Sequence, residues 1–220
     1  MPEPETNSTR VAARPCMGPR LLDFLARRGA YPLYCGITSF DGATEDFIEE
    51  AHRIEQVCGQ FSPDDFVQRV SVPPLLGLDD AELTWSAAMV IEHLIATGEA
   101  VGQTLVFLSR GQASPLDFSP HAMRPRAGRG VAVLTEFRAF TQSYPRTLTR
   151  ELGDRTSPKT HVHPWLGELG VHDWHCFAVL HLRAHRRHLA EIRRCLSNEA
   201  RTGRLPSVLL DPATDATPQP

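Results

Sequence analysis

Three histidines share one side of a helical pattern near the end of this chain. His181, His185 and His188 fall on a seam that also takes Trp174, Ala178 and Ile192. The steps along it alternate between four and three residues, the spacing that keeps one helix face turned toward a partner helix. A lone inward histidine is ordinarily a hydrogen-bonded core residue. Several on one seam are harder to bury, because each ring brings two nitrogens that need partners. Residues four apart sit one above the other on a helix, so His181 and His185 can grip one metal ion. His185 and His188, three apart, form a competing pair. Three neutral imidazoles would leave a divalent ion its full charge and open positions for water or substrate, which is Lewis-acid chemistry. Zinc proteases also carry histidines four apart, with a glutamate base directly after the first. Here that position is Leu182, so the protease reading fails on its chemistry.

A third ligand is expected from a second helix. Residues from about Ala81 to Ser109 are apolar on most faces, as in a helix deep in a bundle. Trp85, Met89, His93, Ala96 and Ala100 share one side of it. His93 lies near the middle of this helix, as His181 and His185 lie near the middle of theirs. Two packed helices of similar length therefore bring the three rings to one depth.

The remaining elements follow in order. Residues 1 to about 17 are polar and read as loosely attached, Pro19 to Leu25 as a short helical pattern closed by Gly29, and Tyr31-Pro32-Leu33-Tyr34 as extended. A first long helix is expected after Gly42, with Thr44 as N-cap and a stripe of Phe47, Ile48, Ala51, Ile54 and Val57 or Cys58. His52 lies off that stripe and reads as a surface residue. Ser62-Pro63-Asp64-Asp65 opens a helical turn with serine as N-cap. Gly111 to Gly130 is a connection of about twenty residues rich in Pro, Gly and Arg. At about 3.3 Å per extended residue it can travel the length of a bundle and set the helices on either side of it parallel. A third long helix is expected from Val131 to Leu152, kinked by Pro145 near Gln142 to Tyr144. Gly153 to Leu169 reads as irregular, and a fourth helix runs from Val171 to about Ser197. The expected architecture is all-α: a four-helix bundle over residues 42–197, a partly disordered N-terminal extension (1–41) with a short helix, and a tail (198–220) in which Leu205 to Leu210 pack back.

The chain has 220 residues, 41% of them hydrophobic, and a formal charge of −3. That supports a globular fold and offers no electrostatic case for nucleic acid or an anionic membrane. Five scattered cysteines without a Cys-x-x-Cys pair fit reduced thiols. The first residues lack a signal-peptide core, and no stretch approaches the roughly 18 apolar residues of a membrane span. A cytoplasmic protein is expected.

Three segments together resemble the DinB/YfiT-like metalloenzymes: Trp85-Ser86 with Glu92-His93-Leu94; His163-Pro164-Trp165-Leu166-Gly167-Glu168-Leu169; and Trp174 followed by His181 and His185. The resemblance spans roughly residues 44 to 195. It implies a four-helix bundle with a long crossover between helices 2 and 3, and one divalent ion on His93, His181 and His185. The register set by Trp174 favours His181 with His185 over the competing pair. Where many relatives carry glutamine, this chain has His188. Family members add a low-molecular-weight thiol to an electrophile, or isomerise a small acid with thiol help. A metal-dependent S-transferase or isomerase is therefore one expectation, with zinc, nickel or iron as the ion. A non-catalytic metal- or ligand-binding, stress-related bundle is the other, and metal-dependent hydrolysis is a third that lacks an evident base. His188 or His163 are the residues available as proton relay, though both also have a structural reading. Arg124, Arg126 and Arg129 on the crossover are the cationic groups available to hold an anionic thiol or substrate. The expected partner is a small molecule, with a homodimer left open. His121 receives no role.

Overall fold

The computed structural model describes residues 29–126 and 128–202. The expectations for Pro19 to Leu25 and for Leu205 to Leu210 lie outside them. In chain order the elements are α1 (Tyr31–Ile37), α2 (Phe40–Cys58), α3 (Pro63–Val67), a 3-10 turn (Asp80–Thr84), α4 (Ala87–Ser109), α5 (Val133–Glu151), the strands β1 (His161–His163) and β2 (Gly167–Leu169), and α6 (Val171–Thr202). The four long helices, α2, α4, α5 and α6, form the bundle.

Their directions follow from which residues meet. Gly98 of α4 lies against Phe140 of α5, Gly102 against Tyr144, and Ser109 against Gly153, so these two helices run parallel. Trp85 stacks over His185 and His93 lies against His181, so α4 and α6 run antiparallel. Thr44 meets His175 while Glu50 meets Arg186, so α2 and α6 run parallel. The crossover between α4 and α5 therefore travels the bundle from end to end, as its length requires.

The seam of α6 faces inward as its spacing predicts: Trp174, His188 and Ile192 are inaccessible and His185 nearly so, while His181 is partly exposed. The Phe140 ring of α5 lies so close against the α4 backbone that a Cβ on Gly98 would stand 2.2 Å from its Cζ. Between α2 and α6 a charged layer takes part in the core. Glu50, 1% exposed, accepts from Arg186 Nε at 2.7 Å and from Arg53 at 2.8 Å, with Arg183 at 3.4 Å.

Several boundaries differ from the sequence expectations. The helix α2 starts at Phe40, not after Gly42, because the Ser39 hydroxyl accepts from Gly42 N and caps it. Ile48 is 39% exposed, and Ala43 and Glu50 take buried positions on that helix instead. Tyr31 to Tyr34 are helical rather than extended: Pro32 falls in the first turn, where a missing N–H costs nothing. Tertiary bonds hold the helix there, Tyr31 donating to the Asp173 carbonyl and Tyr34 to Asp46. The helix expected from Ala81 is broken at Trp85-Ser86. The Asp79 capping box with Glu82 closes a separate 3-10 turn, and the Ser86 hydroxyl restarts the helix by accepting from Met89 N. The helix α5 continues through Pro145 to Glu151. The stretch expected to be irregular contains an antiparallel hairpin, His161 opposite Leu169 and His163 opposite Gly167. Finally, α6 runs five residues past Ser197.

No helix among the described residues is long and apolar enough to cross a membrane.

Candidate metal centre

The antiparallel pairing of α4 with α6 puts His93 beside the His181/His185 pair, which lie one above the other a single turn apart. The ring centroids stand 4.9 Å apart for His93–His181 and His93–His185, and 4.6 Å for His181–His185. One nitrogen from each ring lies within 4.8 Å of the others. The bond at the far side of His93 decides its tautomer: Nδ1 lies 2.7 Å from the Met123 carbonyl and must donate to it. Its Nε2 therefore carries a lone pair, and that atom stands 3.0 Å from Nε2 of His181. Tetrahedral imidazole ligands at about 2.0–2.1 Å from an ion lie roughly 3.3 Å apart, so only a small movement would make this a chelate. A backbone carbonyl orienting the ligand ring is also the usual outer support of such sites. His185 Nδ1 is buried with no protein partner. The donor set fits a divalent ion of borderline softness.

Burial and mutual proximity keep the rings neutral. Burial pushes His93 down to about 4. It drives His181 and His185 well below the ordinary imidazole value, with the neighbouring rings adding to the effect. Neutral imidazole is the form that ligates.

The cluster is the floor of a cavity of ≈740 Å³. Glu82 of the 3-10 turn is 8% exposed and also lines it, with Oε1 at 3.9 Å from His93 Nε2 and Oε2 accepting from Asp79 N. Burial pushes its carboxyl up to about 7, against the opposing effect of the Asp79 bond. The Thr97 hydroxyl, buried and without a protein partner, lines the same cavity.

The other sequence-predicted residues are placed as follows. His163 lines the cavity, but its Nδ1 accepts from Trp165 N and Leu166 N and so holds the turn of the hairpin. His188 is fully buried behind His185, at 5.8 Å between centroids, and is not part of the cavity wall. Burial pushes its ring down to about 4. Of the three crossover arginines only Arg124 lines the cavity; Arg129 is bound by Glu136 and lies near Glu92, and Arg126 is exposed. Arg187, one turn past Arg183 on α6, lines the cavity as well, as does His121. Among the described residues neither Arg124 nor Arg187 has an ion-pair partner. Sequence reasoning missed Glu82, Met123, Thr97 and Arg187. Arg187 had a signal, since it follows the seam pair by two residues, but Glu82 and Met123 reach the site only through turn geometry.

No protein-family model matches the chain, and no curated protein matches it. Among solved structures it is similar to TT2238, a four-helix bundle protein, at 22% identity and a TM-score of 0.45, over 69% of this chain and 98% of that one.

Proposed function

We propose that this protein is a divalent-metal-dependent enzyme of the DinB/YfiT-like type that joins a small thiol to an electrophilic small molecule. The observation that carries the reading is the convergence of His93, His181 and His185 on the floor of an open cavity large enough for a small organic substrate. A divalent ion on those three nitrogens supplies a Lewis acid that lowers the pKa of a bound thiol or water. The chain's own groups supply the rest. Arg124 and Arg187, which line the cavity without an ion-pair partner among the described residues, favour a thiol or substrate bearing a carboxylate or phosphate. Thr97 offers a hydroxyl for orientation. In the transfer an S–C bond forms, the leaving group departs with its electron pair, and the thiol proton needs an acceptor. Glu82, whose Oε1 lies 3.9 Å from His93 Nε2, is the group we assign to accept it.

The same carboxylate favours a second reading, hydrolysis, in which Glu82 takes the proton from an attacking water. Sequence reasoning set hydrolysis aside for want of a base near the histidines, and Glu82 supplies one.

The test is metal analysis of the full chain after loading with zinc, nickel or iron(II), followed by assay of thiols paired with electrophiles and of ester and amide substrates. Thiol consumption that requires the metal supports transfer, and metal-dependent water addition without thiol supports hydrolysis. Stoichiometric metal with neither activity would leave a non-catalytic metal-binding bundle. Failure to bind metal at all would overturn the metal reading.

A further inference from the structure

Aromatic side chains from four separate segments meet at one end of the cavity, around the first turns of α6. Phe177 of α6 packs on His181 and on His163 of β1, at 5.2 Å and 4.5 Å between ring centroids. Trp165, in the turn of the hairpin, stands 5.8 Å from the same His163 ring. Phe118 of the crossover packs on Trp174 at 4.3 Å, and Trp174 on Phe177 at 5.5 Å. Tyr31 of α1 reaches this end because its hydroxyl donates to the Asp173 carbonyl. Trp174 is inaccessible and backs the group, whereas Tyr31, Phe118, Trp165 and Phe177 all line the cavity. Trp165 is 43% exposed, as is Leu76 to 39%, and both belong to the cavity wall, so its mouth is apolar too. Exposed apolar side chains that rim a cavity mark a ligand groove rather than ordinary surface.

The charged groups enter from elsewhere. Among the described residues, Asp79, Asp80 and Glu82 come from the 3-10 turn and its cap, Arg124 from the crossover beside Met123, and Arg187 from α6. Arg187 lies ten residues past Phe177 with His181 and His185 between them. At 1.5 Å per residue that separates the two ends by about 15 Å along the helix.

We propose that the aromatic end is an aryl subsite, which takes the ring of an aromatic electrophile and presents the carbon attached to that ring to the three histidines. That the aryl compound is the electrophile rests on the function proposed above, whereas the preference for an aromatic ring does not. Edge-on or offset pairing with Phe177 and Trp165 favours an aromatic ring over a saturated ring of the same size by roughly two- to tenfold. On this division of the cavity Arg124 and Arg187 serve the thiol.

The probe is naphthylmethanol, a neutral aryl alcohol, compared with its fully saturated ring analogue on the full chain without metal. Calorimetry should show the aryl alcohol binding roughly two- to tenfold more tightly. Trp165→Ala should remove that preference and Trp165→Phe should retain most of it. Val162→Ala, at an exposed position of the same hairpin outside the cavity wall, should change nothing. Phe177→Leu, on a long helix rather than a turn, should lose the preference even if the hairpin does not tolerate alanine at Trp165. Intermolecular nuclear Overhauser effects should connect the naphthyl protons to the Trp165 and Phe177 rings. Equal affinity for the two alcohols, binding of neither, or contacts confined to Leu75, Leu76 and Leu78 would overturn the proposal. Because no metal is present, the outcome is separate from the metal assay: an aryl preference in a chain that binds no metal would keep the subsite while the metal reading fell.

Discussion

Nε2 of His93 and Nε2 of His181 face each other at 3.0 Å across the interface of α4 and α6. With Nδ1 of His93 committed to Met123 O, the pair is satisfied only by a proton on His181 or by a cation between the two rings. Removing any of the three converging imidazoles should abolish stoichiometric metal, so His93→Ala, His181→Ala and His185→Ala are expected to bind none. His188→Ala should retain the ion, since that ring lies outside the group. Elemental analysis after zinc loading reads this directly. Metal kept in His181→Ala but lost in His188→Ala would show that the competing pair is the chelate.

The site rests on a core that does not need it. Large apolar faces of α4 and α6 are buried around Ile91, Leu105, Leu189 and Ile192. Chelation should therefore lower the thermal midpoint while leaving a cooperative helical fold, unlike a zinc finger. Circular dichroism with and without chelator measures both quantities. Loss of the helical signal at room temperature on chelation would contradict this.

The bundle and the three histidines were legible because both depend on helical spacing, which a sequence displays. What was not legible depends on chain reversal. Glu82 looked like the first turn of a long helix until the capping box closed a separate turn around it. Met123 sits in a connection with no period to read. The His161–Leu169 hairpin is three residues a side, too short for its alternation to stand out. The charged layer was hidden differently: Glu50 has the composition of a surface residue, and only the facing Arg183 and Arg186 account for its burial.

That layer predicts unequal costs for neighbouring carboxylates. Glu50→Ala takes the buried partner from Arg186 and Arg53, while Arg183 keeps Asp46, and should cost about 1–3 kcal/mol. Glu49, an exposed partner of Arg53, should cost no more than about 0.5 kcal/mol when truncated. Urea denaturation of the two variants compares them, and equal losses would mean that the Glu50 layer is solvated.

The α4–α5 contact separates two glycines in the same way. Ala at Gly98 would place its Cβ 2.2 Å from Phe140 and should destabilise by about 1–3 kcal/mol. Ala at Gly102 meets Tyr144 at 3.4 Å, ordinary contact, and the helix gains roughly 0.8–1.0 kcal/mol of propensity. The midpoints of the two variants should move in opposite directions.

The last prediction concerns acid, and it turns on His175, remote from the candidate metal ligands. This ring is fully buried between α2 and α5. Thr44 donates to the Phe40 carbonyl, so its oxygen accepts from His175 Nε2 at 2.9 Å. The other nitrogen, Nδ1, then accepts from the Tyr144 hydroxyl at 3.1 Å. Both ring nitrogens are thus satisfied only in the neutral form, and a second proton would oppose Tyr144 O–H. Burial, with the nearby His172 ring adding to it, lowers the value to about 3, from an ordinary 6.5. Above pH 6.5 the folded and unfolded chains both hold a neutral His175, and the group adds no pH dependence. Below 6.5 the unfolded chain takes up a proton that the folded chain refuses. Stability therefore falls as the pH drops from about 6.5 toward about 3, by on the order of 2 kcal/mol at pH 5 from this residue. His175→Gln keeps a donor for Thr44 and an acceptor for Tyr144 but cannot titrate. Its stability at pH 7 should be somewhat lower than wild type, while its decline between pH 6.5 and 4 should be shallower by about one proton. Urea titrations of the metal-free proteins across that interval supply the slopes. Equal slopes in the two proteins would mean that His175 accepts its proton in the folded state.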